Sequence, residues 1–424
     1  MNKPIVLILL LLTLLVSQLP GAASAATSSN AAAAYRNVEM ITDVLSLIRS
    51  SYVEPTDFTE LTYGAVRGML QTLDPHSSFL TPEMYAEMQQ ETQGEFGGLG
   101  IEVTVKEHQL IVVTPLEDSP AYRAGIEAGD RIVAIDGQST RELEVMQAVR
   151  MLRGPQGESV TLQIQRAGTA ELLSFTIVRD IIQLQSVKSR LLDGAYGYVR
   201  ISQFQAHTGE DLQAQLLQLH QQRKTELSGL VLDLRNNPGG LLDQAVEVAD
   251  FFLNDGLIVY TEGRDEQRQL EFSAQSSGTE PGYPLVVLIN GGSASAAEIV
   301  AGALQDHARA VILGEPSFGK GSVQSIIPLG EDAGLRLTTA RYFTPKGRSI
   351  QARGIFPDIK VPSRVTFSPE PAARTRERDL ENHFVGELEE SLPVAEPVSD
   401  AALVEDYPLR RALELLKGYQ LMSR

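Results

Sequence analysis

Leu285-Val286-Val287-Leu288-Ile289 runs directly into Asn290-Gly291-Gly292-Ser293-Ala294-Ser295-Ala296-Ala297-Glu298. An unbroken apolar run does not suit a sheet with one wet face and reads as a strand covered on both sides. The small residues behind it let the chain turn tightly into a helix, Ser295 to His307, before Ala310 to Leu313 returns as another strand. Upstream, Gly197 to Ile201, Gly209 to Lys224, Gly229 to Leu234 and Leu241 to Leu253 alternate as strand, helix, strand, helix. Such alternation argues for an α/β layered domain with buried strands over 181–362.

The period changes before that domain. Over 94–180, short β-rich runs at Gly100 to Val105, Gln109 to Thr114, Arg131 to Asp136, Val160 to Gln165 and Ser174 to Val178 are separated by Gly, Pro and Asp turns, which predicts one small β domain. Residues 26–93 read as helical: Val38, Ile41, Leu45, Ile48 and Tyr52 step by three and four, and Thr62 to Leu73 repeats the pattern. Residues 1–25 read as an export signal. Lys3 precedes an apolar run from Ile5 to Val16, shorter than the roughly 20 residues that span a bilayer, and Ala23-Ser24-Ala25 fits the cleavage rule. The expectation is a periplasmic chain, free or membrane-associated. Residues 363–424 form a C-terminal arm and helix: nine acidic residues and no Lys or Arg between 379 and 406, then an apolar stripe at Leu409, Ala412, Leu413 and Leu416. The stripes at 38–52 and 409–416 have no evident core of their own and are expected to build contacts in a homo-oligomer.

Composition narrows the chemistry. The 424 residues carry 36 basic and 54 acidic side chains, a net charge of −18, which lacks the basic footprint of a nucleic-acid binder. With no cysteine, any nucleophile is oxygen or nitrogen. The six histidines include no His-x-x-x-His spacing, so neither metal nor cofactor is expected.

Ser295 stands where a helix begins, and a serine there is ordinarily a cap. A second segment changes its meaning: Gly314-Glu315-Pro316-Ser317-Phe318-Gly319-Lys320-Gly321-Ser322-Val323-Gln324. A lysine bracketed by glycines can be buried against a turn, and burial disfavours the ammonium. A neutral amine can take a serine proton, so no histidine is required. Gly314 to Lys320 also matches a phosphate-binding loop, but Gly321 replaces the hydroxyl residue that holds magnesium, so no nucleotide is expected.

Two resemblances follow. Gly98-Leu99-Gly100-Ile101, with Ser119-Pro120-Ala121 through Gly125-Ile126, Gly129-Asp130 and Ile132 to Gly137, resembles a PDZ domain. The resemblance implies capture of an extended C-terminal tail at Leu99, Gly100 and Ile101. The motifs Gly-Ser-Ala-Ser-Ala-x-Glu and Gly-Lys-Gly-x-x-Gln, with Asp233-Leu234-Arg235-Asn236-Asn237-Pro238-Gly239-Gly240 and Ala340-Arg341-Tyr342, resemble the carboxy-terminal processing peptidases from about residue 35 to 362. That family implies a crotonase and Clp-protease-like layered core with an inserted PDZ domain. It implies Ser295 as nucleophile, Lys320 as general base and Gln324 as the residue orienting the lysine. The N–H groups of Gly240 and Ala296 become the expected oxyanion donors. Ser293 is expected to support the site. Arg153 stands where some relatives carry an arginine coupling the PDZ domain to the active site, and equally fits a solvated turn. Protein substrates with accessible C-terminal tails, and an activating adaptor protein, are the expected partners. The rival reading is a PDZ-containing adaptor or pseudoenzyme that binds tails without cleaving them.

Overall fold

The computed structural model describes residues 22–363 and 406–422, apart from 107–108, 117, 142, 144, 170, 265–268 and 331. The apolar run of the expected export signal and nearly all of the acidic arm lie outside the described residues. The chain divides into two units, 1–70 and 71–424. In the first, α1 (Ala22–Ser51) and α2 (Phe58–Gln71) account for the helical periodicity, and Val38, Ile41, Val44 and Leu47 of α1 are exposed. No helix among the described residues is long and apolar enough to cross a membrane.

The second unit opens with β1 (Ser78–Leu80) and α3 (Pro82–Gln93). Thr81 caps α3 by accepting from the Met84 N–H, Pro82 occupies its first turn, and Gly94 ends it at φ 76°. β2 (Glu95–Gly98) then leads into the insert. Its strands are β3 (Ile101–Lys106), β4 (Gln109–Pro115), β5 (Arg131–Ile135), β6 (Gln138–Ser139), β7 (Ser159–Gln165) and β8 (Leu173–Val178). Two helices, α4 (Pro120–Arg123) and α5 (Val145–Leu152), accompany them. The sheet runs β3-β4-β5-β7-β8, with β6 on β5. Leu110, Ile132, Ile135, Leu162 and Ile164 alternate inward to form a core separate from the rest. The insert is left by β9 (Asp180–Gln183), which pairs antiparallel with β2 so that entry and exit strands form one ribbon.

The layered domain follows: β10 (Val187–Leu192), β11 (Tyr196–Ile201), α6 (Thr208–Arg223), β12 (Leu230–Asp233), α7 (Leu242–Asp250), β13 (Leu257–Gly263), β14 (Leu270–Ser273), β15 (Leu285–Ile289), α8 (Ala296–Asp306), β16 (Val311–Gly314), β17 (Ser322–Leu329), β18 (Ala333–Phe343), β19 (Ile359–Lys360) and α9 (Tyr407–Met422). One sheet has the order β10-β11-β12-β15-β16-β19, parallel except for β10. A second, β1-β18-β13-β14 with β17 on β18, was not anticipated.

One face of the first sheet packs on α6, α7 and α8 through Leu232, Val287, Leu216, Val248 and Val300. The other meets α9, whose Leu409, Ala412 and Leu416 bury against Val231, Val286 and Leu288. This corrects the expectation for 409–416. Periodicity showed that the stripe must be covered, and the cover is the outer face of β12 and β15 rather than a second chain. Glycine at 229 leaves room for it, because a Cβ there would come 2.9 Å from Leu416.

Candidate active site

The carboxyl ends of β12, β15 and β16 open onto three loops that meet at Ser295, as expected for an open α/β sheet. Ser295 precedes α8 at φ 55° and ψ −115°, a left-handed conformation that costs a non-glycine residue and presents the side chain at a sharp strand-to-helix turn. It is 6% exposed, and its hydroxyl is paired with the Tyr342 phenol, which burial pushes up to about 12.

The first loop, Arg235 to Gly240, is held from several directions. Asn237 donates to the Ile201 carbonyl (2.9 Å) and accepts from the Gly239 N–H (2.8 Å). Its carbonyl accepts from the Ala294 N–H (2.9 Å). The Asn236 N–H donates to Asn290 Oδ1 and the Asn290 amide donates back to Asn236 Oδ1. Ser293 donates to the Leu234 carbonyl (2.7 Å) and accepts from the Asn290 N–H, so this hydroxyl is a tie between loops. Glycine is required at 239: a Cβ there would lie 2.8 Å from that of Ser295 and 3.1 Å from the Ala296 nitrogen, with φ at 103°. This places the turn directly over the serine. The Gly239 N–H is spent on Asn237, whereas Gly240 is exposed beside it. Arg235 grips buried Asp233 through Nε (2.9 Å) and reaches Asp406 at the start of α9 with both terminal nitrogens.

Lys320 is half-buried on the loop between β16 and β17. Its flanking glycines face the turn at 350–354: the Gly321 N–H donates to Gln351 Oε1 (2.9 Å), and a Cβ on Gly319 would sit 3.1 Å from the nitrogens of Arg353 and Gly354. Gln324 lies on β17 with Nε2 donating to Ser322 Oγ (2.9 Å) and Thr338 Oγ1 (3.4 Å), so its nitrogen end is held by two hydroxyls.

Glu298 was quoted as part of a motif and given no role, yet it joins the two loops. Wholly buried, it accepts from the N–H groups of Ser295 (2.7 Å), Gly319 (2.8 Å) and Lys320 (2.9 Å) and from the Ser317 hydroxyl (2.5 Å). Burial pushes its carboxyl up to about 7 against the pull of those donors. The only signal in the sequence was a Glu three residues after a helix-start serine, the spacing of an ordinary capping box. Tyr342 likewise stood in a quoted motif without a task.

In the insert, the Leu99 carbonyl accepts from the Ala121 N–H (3.0 Å), and the Gly100 carbonyl from the Leu116 N–H (2.8 Å) and Ser119 hydroxyl (3.1 Å). Across a trans peptide the N–H points opposite to its C=O. The N–H groups of Gly100 and Ile101 therefore turn away from that loop at the head of β3, the edge strand. Arg153 is exposed and stacks over the Phe96 ring on β2 (4.5 Å), so the structure brings it to the ribbon.

The chain matches the Peptidase family S41 model over residues 195–361, the PDZ domain model over 111–166, and the Activating protease CtpB N-terminal domain model over 16–84. It is 46% identical over 396 residues to the carboxy-terminal-processing protease of Bartonella bacilliformis, covering 92% of this chain and 90% of that one. The carboxyl-terminal-processing protease of a Synechocystis species is 42% identical over 74% of each chain. CtpB of Bacillus subtilis is 36% identical over 79% of this chain and 70% of its own length. Similarity of this extent, with a serine at the strained turn and a PDZ domain inserted ahead of it, makes the chain a member of peptidase family S41, a serine-type endopeptidase of the carboxy-terminal-processing kind.

Proposed function

We propose that this protease is an ATP-independent enzyme of the Ser–Lys type, exported to the periplasm, that processes or degrades envelope proteins whose C-terminal tails dock on its PDZ domain. Ser295 Oγ attacks the scissile carbonyl carbon while the Lys320 amine takes its proton. The N–H groups of Ala296 and Gly240 hold the oxyanion. The C–N bond breaks as Lys320 returns the proton to the leaving amine, and water deprotonated by the same amine then releases the acyl group from Ser295. Gln324 orients Lys320. Tails enter beside β3, their carboxylates on the amides of Leu99, Gly100 and Ile101. Export rests on the run Ile5 to Val16, and the envelope is the compartment that follows from it. An activating adaptor protein is part of the same reading.

The observation that carries the mechanism is the single buried carboxylate, Glu298, bonded to the main chain of both Ser295 and Lys320. Purified full-length protein incubated with an unstructured protein substrate, beside Ser295→Ala and Lys320→Ala, tests it. Cleavage by the parent and none by either variant is expected. Three equal traces would leave the adaptor reading standing, and full activity in Lys320→Ala would remove lysine from the mechanism.

A further inference from the structure

The carboxamide of Gln324 has a donor end and an acceptor end, and only the acceptor end can hold a lysine amine by one of its N–H bonds. Ser322 Oγ, the nearer partner of Nε2, can donate or accept, so the groups that decide which end faces which way lie on a different part of the chain. Asp74, 5% exposed ahead of β1, accepts from the N–H groups of His76 and Ser77 (both 2.8 Å), the Ser77 hydroxyl (2.6 Å) and the Thr338 hydroxyl (3.1 Å). The Thr338 N–H in turn donates to Ser77 Oγ (3.1 Å), so β1 pairs with β18 beside this cluster. Burial works against ionisation of Asp74, but the hydrogen bonds from Ser77, His76 and Thr338 outweigh it and hold the carboxyl below its ordinary value. An ionised carboxylate accepts only, so the Thr338 proton is committed to Asp74 and its oxygen is left with lone pairs. Those lone pairs meet Gln324 Nε2.

We propose that Asp74 and Thr338 are positioning residues that lock the Gln324 amide with its nitrogen on Thr338 and its oxygen toward the Lys320 amine. The proposal rests on the Ser–Lys reading. Without the Thr338 hydroxyl, or without the carboxylate that takes its proton, Nε2 keeps only Ser322 Oγ, a hydroxyl that can donate as well as accept. The amide can then turn its NH2 end to Lys320, where it occupies the lone pair that the Ser295 proton needs.

The test uses full-length protein with Thr338→Val, which keeps the shape and removes the hydroxyl, Thr338→Ser, which restores it, and each in a Gln324→Ala background. Thr338→Val is expected to lower kcat by roughly tenfold to a hundredfold, with KM and peptide affinity of the PDZ domain within about twofold. Thr338→Ser retains most of the rate, and Thr338→Val costs nothing further once Gln324 is Ala. Asp74→Ala serves as a second route and is expected to show the same dependence on Gln324 if Thr338→Val does not fold. A Thr338→Val enzyme with unchanged kcat, or the same loss with and without Gln324, overturns the proposal. Lys320→Ala, run alongside, separates the failures: activity in that variant overturns the Ser–Lys reading itself.

Discussion

At the scale of single residues, the site is organised by Glu298, which has no part in bond making. Replacement by Gln keeps the volume but substitutes an NH2 for one oxygen, and all four partners of that carboxylate are donors. One end then faces an N–H it cannot accept, which costs about 1–3 kcal/mol for a buried unsatisfied group. Glu298→Gln is therefore expected to be less stable and to lose kcat more than KM. The pH dependence has a definite sign. Burial raises the folded value from 4.5 to about 7, so the folded chain holds this proton more tightly than the unfolded chain. The stability this group contributes is complete below pH 4.5 and is lost as pH rises through about 7, on the order of 3 kcal/mol in all. Melting curves from pH 5 to 8 should show the gap between parent and Glu298→Gln narrowing toward high pH, and parallel curves would refute the assignment. Ser295 and Lys320 stand out in the sequence as candidates because small residues and glycines around a lone polar side chain are costly unless a close approach needs them. Glu298 was not, because a carboxylate that holds two loops and one that caps a helix have the same spacing in sequence.

At the scale of elements, periodicity specified what is buried and left open against what. The runs for β15 and β16 are apolar throughout, β12 is apolar up to Asp233 and β11 carries one charge, Arg200, so these were readable as strands of a covered sheet. β17 and β18 were not read: in β17 burial fades from Ser322 toward Leu329, and the run contains Pro328, so no alternation marks it. The α9 stripe was legible as a stripe and wrongly assigned an intermolecular partner, because its partner face, Val231, Val286 and Leu288, lies on strands already credited with helical cover. Leu416, 1% exposed, now belongs to a core, and Leu416→Ala is expected to destabilise the chain by about 2–5 kcal/mol. The exposed face of α1 is the stripe still left for contact between copies. Sedimentation should give a mass above that of the monomer which survives Leu416→Ala and falls with Ile41→Asp, since Ile41 lies on that stripe and is exposed. A monomeric parent would rule out the homo-oligomer.

At the scale of the whole molecule, the PDZ insert and the protease domain are joined through one antiparallel ribbon, β2 with β9. Glycine is needed where the insert folds back on that ribbon, since a Cβ on Gly97 would lie 2.1 Å from the Gly154 carbonyl, whose own N–H neighbour donates to the Gly97 carbonyl (3.1 Å). Arg153 follows α5, the helix alongside the edge strand β3, and its guanidinium covers Phe96 on the ribbon. A tail added to β3 thus acts on an element whose end is stacked on the connection to the catalytic domain. A cation on an aromatic face at an exposed site is worth about 0.5–1 kcal/mol, enough to bias two arrangements by a few fold without fixing either. Arg153→Ala is accordingly expected to bind a C-terminal peptide as the parent does, while the advantage in kcat/KM of a substrate with a free tail over the same substrate with an amidated tail falls by a few fold. Loss of peptide affinity in Arg153→Ala would make the arginine part of the tail site, and an unchanged tail advantage would reduce it to a solvated turn residue.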